Sequence, residues 1–260
     1  MEKYFEINDN GLSIKCKIYC KDIRAINNII ISCHGFGGSK ENTASKKLAS
    51  KVLEKYDNIG VVTFDWPCHG KDVRQKLHLV DCNNYMSAVI NHICSKYSVD
   101  NLYCNATSFG GYLTLKYIKE NGNPFKKIIL RCPAVNMGNV LYNNILTDLD
   151  REQLSKRKDV IAGFERKIRI TPQLMQDLVE NDITKYDYRD YSDCILIMHG
   201  TADELIPHDV VKHFAEMNSI DFISIAGADH MFQKPAAINE AIEYSTEFLF
   251  DESLKQGIRR

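Results

Sequence analysis

Short apolar runs of strand length alternate with segments of helical spacing along most of the chain. Residues 26–33 are β-branched and increasingly apolar toward their end, which is typical of a buried parallel strand. Residues 42–56 then carry apolar side chains at helical spacing, with Asn42 or Thr43 as the expected cap. The alternation continues with predicted strands at 60–64, 102–106, 127–131, 194–199 and 221–226 and predicted helices at 83–97, 110–120, 208–217 and 235–250.

Two further strands are predicted before this alternation begins. Residues 4–7 and 12–19 flank Asn8-Asp9-Asn10-Gly11, a strong signal for a hairpin. Strands that alternate with helices indicate parallel pairing with helices on both faces of the sheet. The pattern therefore predicts an α/β protein with a mostly parallel, eight-stranded sheet.

One long segment, residues 133–191, interrupts the alternation. It is polar, shows no evident strand, and contains a helix-like run with Pro172 at a first helical position. Structureless loops of this length are uncommon inside a compact domain. We therefore expect a single α/β domain over residues 1–260, with 133–191 inserted as a small helical cap.

Composition excludes several classes of function. The formal net charge of −1 gives no electrostatic basis for binding nucleic acid or an anionic membrane. No apolar run approaches the length of a membrane-spanning helix, and the first residues carry no export signal. The nine cysteines are scattered without a Cys-x-x-Cys pair, and their spacings match no common zinc pattern. These features predict a cytoplasmic protein with reduced thiols and no metal, and a homodimer is compatible with them.

A serine stands where the chain is expected to turn from strand to helix. Residues 104–111 read Cys-Asn-Ala-Thr-Ser-Phe-Gly-Gly, between a predicted strand and a predicted helix. A serine on such a corner holds its hydroxyl free to attack a carbonyl, while the next backbone N–H faces the developing oxyanion. Small residues followed by two glycines also make ordinary turns, so Ser108 is a candidate nucleophile whose weight depends on its partners.

Two candidate partners follow the last predicted strands. His230 lies in a glycine-bearing loop after the final strand, from which it could act as a general base. Asp203 follows the preceding strand and could orient that base, with the adjacent Glu204 as the alternative acid. The competing interpretations are a solvated loop histidine and an aspartate that caps the next helix.

A glycine-rich turn after the strand at 26–33 is the candidate source of hydrogen-bond donors for the oxyanion. In His34-Gly35-Phe36-Gly37-Gly38-Ser39-Lys40, glycines let the backbone approach a ligand closely. The backbone N–H groups of Phe36 and Phe109 are then the expected oxyanion hole. An ordinary turn into a helix would explain these glycines but not their position opposite Ser108.

Along the chain the three candidates come in the order nucleophile (Ser108), acid (Asp203) and base (His230).

Five blocks of the sequence carry a resemblance to a known family: His34-Gly35-Phe36-Gly37-Gly38, Asp65-Trp66-Pro67-Cys68-His69-Gly70, Ala106-Thr107-Ser108-Phe109-Gly110-Gly111, His199-Gly200-Thr201-Ala202-Asp203 and Gly227-Ala228-Asp229-His230. On these blocks the chain resembles the α/β-hydrolases. Within them it is most similar to bacterial cinnamoyl or feruloyl esterases and to serine-aminopeptidase-like and monoacylglycerol-lipase-like hydrolases. The resemblance implies the α/β-hydrolase fold outside the cap.

Two residues depart from the family pattern. Ala106 stands where the turn that carries the nucleophile usually begins with glycine, and one extra methyl is compatible with that turn. Cys68 replaces the usual glycine before His-Gly in the second block, and we interpret Cys68 and His69 as scaffold. A nucleophilic Cys68 would lack both the corner and the oxyanion donors.

The expected activity is hydrolysis of small or medium carboxylic esters by a serine hydrolase without cofactor. Hydroxycinnamate esters are an option that rests on the resemblance alone. A peptidase or thioesterase with the same three residues, and a non-catalytic ligand-binding protein on this fold, remain alternatives. In the cap, Tyr142, Phe164, Met175 and Leu178 are candidates for lining a substrate pocket or for packing on the core.

Overall fold

The predicted alternation of strands and helices is present in the computed structural model, which describes residues 1–9, 11–164 and 166–250. The strands are β1 (Glu2–Asp9), β2 (Leu12–Cys20), β3 (Asn28–Cys33), β4 (Ile59–Phe64), β5 (Asn101–Thr107), β6 (Lys127–Arg131), β7 (Val160–Gly163), β8 (Lys167–Ile170), β9 (Ile195–Gly200) and β10 (Asp221–Ile225). The α-helices are α1 (Thr43–Lys55), α2 (Leu79–Lys96), α3 (Phe109–Asn121), α4 (Met137–Val140), α5 (Asp148–Ser155), α6 (Pro172–Glu180), α7 (His208–Met217) and α8 (Pro235–Phe250).

Eight of the strands form one sheet in the order β1-β2-β4-β3-β5-β6-β9-β10. β2 pairs antiparallel with β1 and β4, and all other pairs in the sheet are parallel. The prediction of a mostly parallel, eight-stranded sheet is confirmed. The hairpin expected at residues 8–11 is also present, with Asp9 opposite Leu12 and Gly11 at φ 79°, while Asn10 lies outside the described residues.

Both faces of the sheet are covered, as the continuously apolar central strands require. Ile29 and Ile31 on β3 belong to the core shared with α2 and α3, whereas Ile30 between them packs in the core shared with α1 and α8. Alternate residues of one strand therefore lie in different cores. Because the central strands have no solvated face, their ends are the positions left for chemistry.

Capping side chains mark the starts of α1 and α6 but not that of α2. Asn42 accepts a hydrogen bond from the Ser45 backbone N–H, so it caps α1 as predicted. Thr171 caps α6 in the same way, with Pro172 at the first helical position. α2 begins four residues before the predicted start, at Leu79, and its cap residue His78 makes no side-chain cap hydrogen bond. Without a capping side chain, the sequence carried no signal for that boundary.

The cap segment, residues 133–191, differs from expectation in one respect. It contains helices, including α5 and α6, but β7 and β8 also form a separate antiparallel hairpin that was not predicted. Each strand has only four residues, too few for an alternating pattern to be distinguished from a loop. Among the described residues, none of the helices combines the length and apolar character needed to cross a bilayer.

Candidate active site

Ser108 occupies a strained turn between the end of β5 and the start of α3. Its backbone is left-handed, with φ 54° and ψ −118°, a conformation that non-glycine residues adopt only when their surroundings impose it. The Ser108 N–H donates to the Arg131 carbonyl at 3.0 Å, and the Ser108 carbonyl accepts from the backbone N–H groups of Tyr112 and Ala134. These bonds fix the turn and set the hydroxyl at the carboxyl edge of the sheet.

Glycines follow Ser108 because the helix start lies against backbone. A Cβ on Gly110 would lie 2.6 Å from the His34 carbonyl oxygen, and one on Gly111 would lie 2.8 Å from Pro133 Cβ. Ala106, the departure from the family pattern, is fully buried in β5, where its methyl is accommodated. The replacement therefore does not disturb the turn.

The structure brings the three predicted side chains together. His230 Nε2 lies 3.1 Å from Ser108 Oγ, and His230 Nδ1 lies 2.8 Å from Asp203 Oδ2. Since the carboxylate can only accept, Nδ1 carries the proton and Nε2 is left to accept from the serine hydroxyl. Glu204, the alternative acid, is exposed, and Asp203 is the residue of the two that bonds His230.

Asp203 is buried within a dense set of donors. Its Oδ1 accepts from the backbone N–H groups of Leu205 and Ile206, and its Oδ2 accepts from His230 and, at 3.1 Å, from His199 Nε2. Burial opposes ionisation, but the hydrogen bonds from His199 and His230 outweigh it and hold the pKa of Asp203 well below its usual range. Asp203 is therefore a carboxylate throughout the neutral range.

His199 also bonds Asp203, a contact that the sequence did not predict although both residues lie in the block His199-Gly200-Thr201-Ala202-Asp203. His199 Nε2 faces two acceptors, Asp203 Oδ2 and, at 3.0 Å, the Ile206 carbonyl, so this nitrogen carries the proton. His199 Nδ1 is buried and has no hydrogen-bond partner within the described residues. The available signal was the spacing of four residues between His199 and Asp203 at the end of a buried strand.

Cys132, directly after β6, also lies beside the pair formed by Asp203 and His230. A ligand atom from each of the three residues lies within 4.8 Å of the other two. The backbone of Cys132 is left-handed, with φ 45°, and its N–H donates to the Met198 carbonyl at 2.9 Å. Burial, only partly offset by neighbouring Arg131, raises the pKa of the Cys132 thiol far above its ordinary value, so the thiol is protonated.

Buried Arg131 connects the segments that carry Ser108 and His230. Its guanidinium donates to the Met231 carbonyl at 3.1 Å and, at 3.4 Å, to the Thr107 hydroxyl. The same group lies 5.0 Å from the centroid of the Phe232 ring. Arg131 thus holds Thr107 and Met231, the neighbours of Ser108 and His230, in one arrangement.

The glycine-rich loop, residues 34–40, lies directly against Ser108. A Cβ on Gly35 would lie 3.1 Å from Ser108 Cβ and 3.6 Å from its Oγ. The Phe36 and Phe109 rings meet edge to face at 5.6 Å, so the two residues contact each other. Among the backbone–backbone hydrogen bonds of the described residues, none is donated by the Phe36 or the Phe109 N–H.

A buried ion pair anchors this loop to the segment after β4. Lys40 Nζ lies 2.9 Å from Asp65 Oδ2, and Asp65 also accepts from the backbone N–H groups of Lys40 and Lys71. Gly70 has φ 51°, and a Cβ there would lie 2.1 Å from the Asp65 carboxylate, so only glycine fits. Both side chains of the ion pair are almost fully buried.

The block around Cys68 and His69 packs beneath the glycine-rich loop. His69 stacks on Phe109, and its Nδ1 lies 2.7 Å from the Pro67 carbonyl. Burial raises the pKa of the Cys68 thiol to about 12, so this cysteine is not a thiolate at neutral pH. These contacts support the interpretation of both residues as scaffold.

The β7–β8 hairpin of the cap segment contacts the glycine-rich loop. The Arg166 N–H donates to the Gly37 carbonyl at 3.0 Å, and its guanidinium donates to the Gly70 and Asp72 carbonyls. The backbone of half-exposed Phe164 also lies against Gly37. By contrast, Tyr142, Met175 and Leu178 line a groove between α4 and α6 that does not include Ser108.

A second Ser–His–Asp arrangement occurs on the surface. His208 Nε2 lies 2.9 Å from Ser224 Oγ, and His208 Nδ1 lies 3.1 Å from Asp209 Oδ1. Ser224 is an interior residue of β10, so it has neither a strained corner nor a following helix start. This site lacks the surroundings that a nucleophilic serine requires.

Comparison with known proteins identifies the family. Residues 24–233 match the family model described as "Serine aminopeptidase, S33". Est1E from Butyrivibrio proteoclasticus, solved with ferulic acid, is similar with a TM-score of 0.75 at 19% identity, covering 96% of this chain and 99% of that chain. A putative hydrolase from Agrobacterium vitis S4 has a TM-score of 0.72 at 17% identity, covering 95% and 98%. The Paleococcus ferrophilus monoacylglycerol lipase has a TM-score of 0.64 at 17% identity, covering 92% and 98%.

At these identities the structural likeness establishes the fold alone. No functionally curated protein sequence matches the chain significantly. The family model, however, spans most of the chain and includes the loop at 34–40, Ser108, Asp203 and His230. The chain therefore belongs to the serine aminopeptidase (S33) family of α/β-hydrolases.

Proposed function

We propose that this hydrolase cleaves carboxylic esters of small to medium substrates through an acyl-enzyme on Ser108. The observation that carries the proposal is the hydrogen-bonded series from Ser108 through His230 to Asp203, with the serine on a strained corner. In this assignment Ser108 is the nucleophile, His230 the general base and Asp203 the residue that fixes the imidazole tautomer. The Phe36 and Phe109 amides are the oxyanion donors.

In the first half-reaction, Ser108 Oγ attacks the ester carbonyl carbon while its proton passes to His230 Nε2. The carbonyl oxygen becomes an oxyanion beside the two amide N–H groups. The imidazolium, stabilised by Asp203, then gives its proton to the departing alkoxide, which leaves as the alcohol. In the second half-reaction, water repeats the sequence on the acyl-enzyme, and the carboxylic acid leaves as Ser108 regains its proton.

Hydroxycinnamate esters are the proposed substrates within this class. The support is the neighbour Est1E, solved with ferulic acid, together with half-exposed Phe164 beside the glycine-rich loop. An exposed aromatic ring at that position could stack on an aromatic acyl group. We retain a small-molecule substrate rather than nucleic acid or membrane lipid, and a cytoplasmic location, as parts of the proposal.

The family description favours a second candidate, an aminopeptidase or other amidase that uses the same residues. Its chemistry differs only in the leaving group, which is then an amine that takes its proton from His230. A thioesterase would likewise differ only in its leaving group, which is then a thiol. A panel of p-nitrophenyl acetate, methyl ferulate, an aminoacyl p-nitroanilide and an acyl thioester ranks these candidates by kcat/KM.

Labelling by a fluorophosphonate probe tests the nucleophile. The intact protein should react, the S108A variant should not, and S224A should react like the wild-type protein because Ser224 lies on β10 without a strained turn. Peptide mapping then locates the adduct on Ser108. Failure of the folded wild-type protein to react would favour the non-catalytic binding protein and overturn the hydrolase assignment.

A further inference from the structure

The thiol of Cys132 takes no part in the proposed hydrolysis, yet it is buried beside two residues that do. Cys132 is completely buried, and its backbone is held by the bond to Met198 at the end of β9. The Cys132 Sγ, one Asp203 carboxylate oxygen and one His230 ring nitrogen lie within 4.8 Å of one another. Three different strand ends thus bring one sulfur, one oxygen and one nitrogen ligand to one point.

This set of donors matches a zinc site in both chemistry and size. Zn²⁺ prefers thiolate, imidazole and carboxylate ligands, with bond lengths of about 2.0–2.3 Å. Tetrahedral geometry at those lengths separates neighbouring ligand atoms by roughly 3–4 Å. The three donors therefore need to shift only slightly, chiefly by separating His230 Nδ1 from Asp203 Oδ2, which are 2.8 Å apart.

We propose that Cys132, Asp203 and His230 form an inhibitory site for Zn²⁺ or a similar thiophilic divalent cation. Coordination expels the Cys132 thiol proton to solvent and leaves a thiolate on the metal. His230 is bound through Nδ1, the ring nitrogen that faces Asp203. A fourth position is left for water.

Metal binding in this position prevents the reaction, a consequence that rests on the proposed function. With the metal on Nδ1, neutral imidazole carries its proton on Nε2, which then faces Ser108 Oγ as a donor. That nitrogen can no longer accept the serine proton. Asp203 is also withdrawn from its bond to His230. The ion therefore acts as an inhibitor and not as a cofactor, because bound metal and a functional base exclude each other.

Metal binding is measured first, without any substrate. Isothermal titration with Zn²⁺ and absorption titration with Co²⁺, whose thiolate complexes absorb in the near ultraviolet, should show a specific site in the wild-type protein. C132S keeps the size of the side chain but replaces the soft ligand, so the thiolate absorption should vanish and affinity should fall at least about tenfold. C94S changes an exposed cysteine on α2 and should bind like the wild-type protein.

The S108A variant separates this inference from the proposed function. Because Ser108 is not a ligand, S108A should bind Zn²⁺ like the wild-type protein even though it cannot react with a fluorophosphonate. Binding that is unchanged in C132S would place the metal elsewhere and overturn the proposal. Should C132S unfold, C132A takes its place, with circular dichroism to verify its fold.

Inhibition is measured on whichever ester the panel identifies. Zn²⁺ should inhibit the wild-type and C94S proteins, a chelator should restore activity, and C132S should require at least about tenfold more Zn²⁺. Equal sensitivity of C132S and wild type would refute the inhibitory site while leaving the hydrolase assignment intact. Conversely, the wild-type protein could hydrolyse no ester and still show a Co²⁺–thiolate absorption that disappears in C132S. That result would support the metal site and refute the proposed activity.

Discussion

His199 and His230 donate to the same oxygen atom, Oδ2 of Asp203, at 3.1 and 2.8 Å. His230 is the imidazole that also contacts Ser108, whereas His199 uses the same nitrogen, Nε2, to face both Asp203 and the Ile206 carbonyl. His199 therefore ties the loop that carries Asp203 and Ile206 to the end of β9. Its effect on catalysis should be indirect, through the position and ionisation of Asp203.

Replacing His199 by Phe should lower both stability and turnover. A hydrogen bond to a buried charged group contributes about 1.5–3 kcal/mol, so the free energy of unfolding at pH 7 should fall by about that amount. Turnover should fall by about tenfold, because a shift of Asp203 also displaces His230 from Ser108, and a displacement of about 1 Å costs about 10² in rate. H199Q, whose amide can place an N–H near the position of Nε2, should recover much of both. Equal losses in H199F and H199Q would assign His199 to packing alone.

The stability difference between wild type and H199F should depend on pH in a defined direction. The His199 bond favours the ionised Asp203 and lowers its folded-state pKa. Because both unfolded chains titrate alike at about 3.9, the difference is fully present above the higher Asp203 pKa expected in folded H199F and is lost as the pH falls from there toward the wild-type folded-state value. Urea unfolding at pH 7 and near pH 3 should therefore show a smaller difference at the lower pH.

Asp203→Asn tests the acid itself. Loss of the acid from such a triad lowers turnover by about 10⁴, which corresponds to about 5.5 kcal/mol in the transition state. The reason is that the Asn amide permits the wrong imidazole tautomer. E204Q is the matched control: Glu204 is exposed, so its replacement should leave turnover unchanged. Full activity in D203N, measured on the best ester of the panel, would move the role to another carboxylate.

Sequence alone could predict the residues that sit at strand ends, because parallel strands bring their carboxyl ends to one edge. Ser108, Asp203 and His230 each follow a strand that its apolar run made visible, and the structure places them within hydrogen-bond distance. The positions of Cys132 and His199 relative to that group were not predictable. Their proximity depends on the order of strands β6 and β9 in the sheet and on local backbone geometry, neither of which spacing encodes.

The cap was the least predictable part for a related physical reason. β7 and β8 have four residues each, and their stability comes from packing of Val160, Ile168 and Ile170 in the core. Short segments stabilised by tertiary contacts carry little local signal. The contact of Arg166 with Gly37, which brings this hairpin to the glycine-rich loop, depends on the same packing.

Gly35→Ala should impair catalysis with little loss of stability. The new Cβ would lie 3.1 Å from Ser108 Cβ, so the serine must shift by a few tenths of an ångström. Because a displacement of about 1 Å at a reacting group costs about 10² in rate, a tenfold loss in kcat is a reasonable expectation. G138A is the control, since its Cβ would meet its nearest neighbour at an ordinary 3.5 Å. Equal rates in G35A and G138A would contradict the close approach.

Lys40→Met should destabilise the fold strongly. It would remove the cation from Asp65, whose carboxylate is fully buried, and breaking such a pair costs about 3–5 kcal/mol. K46M is the control, because Lys46 pairs with Glu2 at the surface at 3.8 Å and should contribute less than about 1 kcal/mol. Urea unfolding of the two variants compares them directly. Similar losses would show that the buried pair has no special role.

Two buried imidazoles should make the fold sensitive to mild acid. Burial lowers the pKa of His34 to about 4 and that of His69 to about 3, so both stay neutral in the folded protein. A histidine in the unfolded chain has a pKa of about 6.5, so the unfolded chain gains protons below that pH and the folded chain does not. Stability should therefore fall as the pH drops from about 6.5 toward the folded-state values.

The expected loss between pH 8 and pH 5 is about 2 kcal/mol for each imidazole, by linkage from these pKa values. H69F keeps an aromatic ring against Phe109 but cannot titrate, although it loses the bond to the Pro67 carbonyl. Its stability at pH 8 should be somewhat lower than that of the wild-type protein, while its loss on moving to pH 5 should be smaller by about 2 kcal/mol. An unchanged pH dependence in H69F, measured by urea unfolding, would mean that His69 is already protonated in the folded protein.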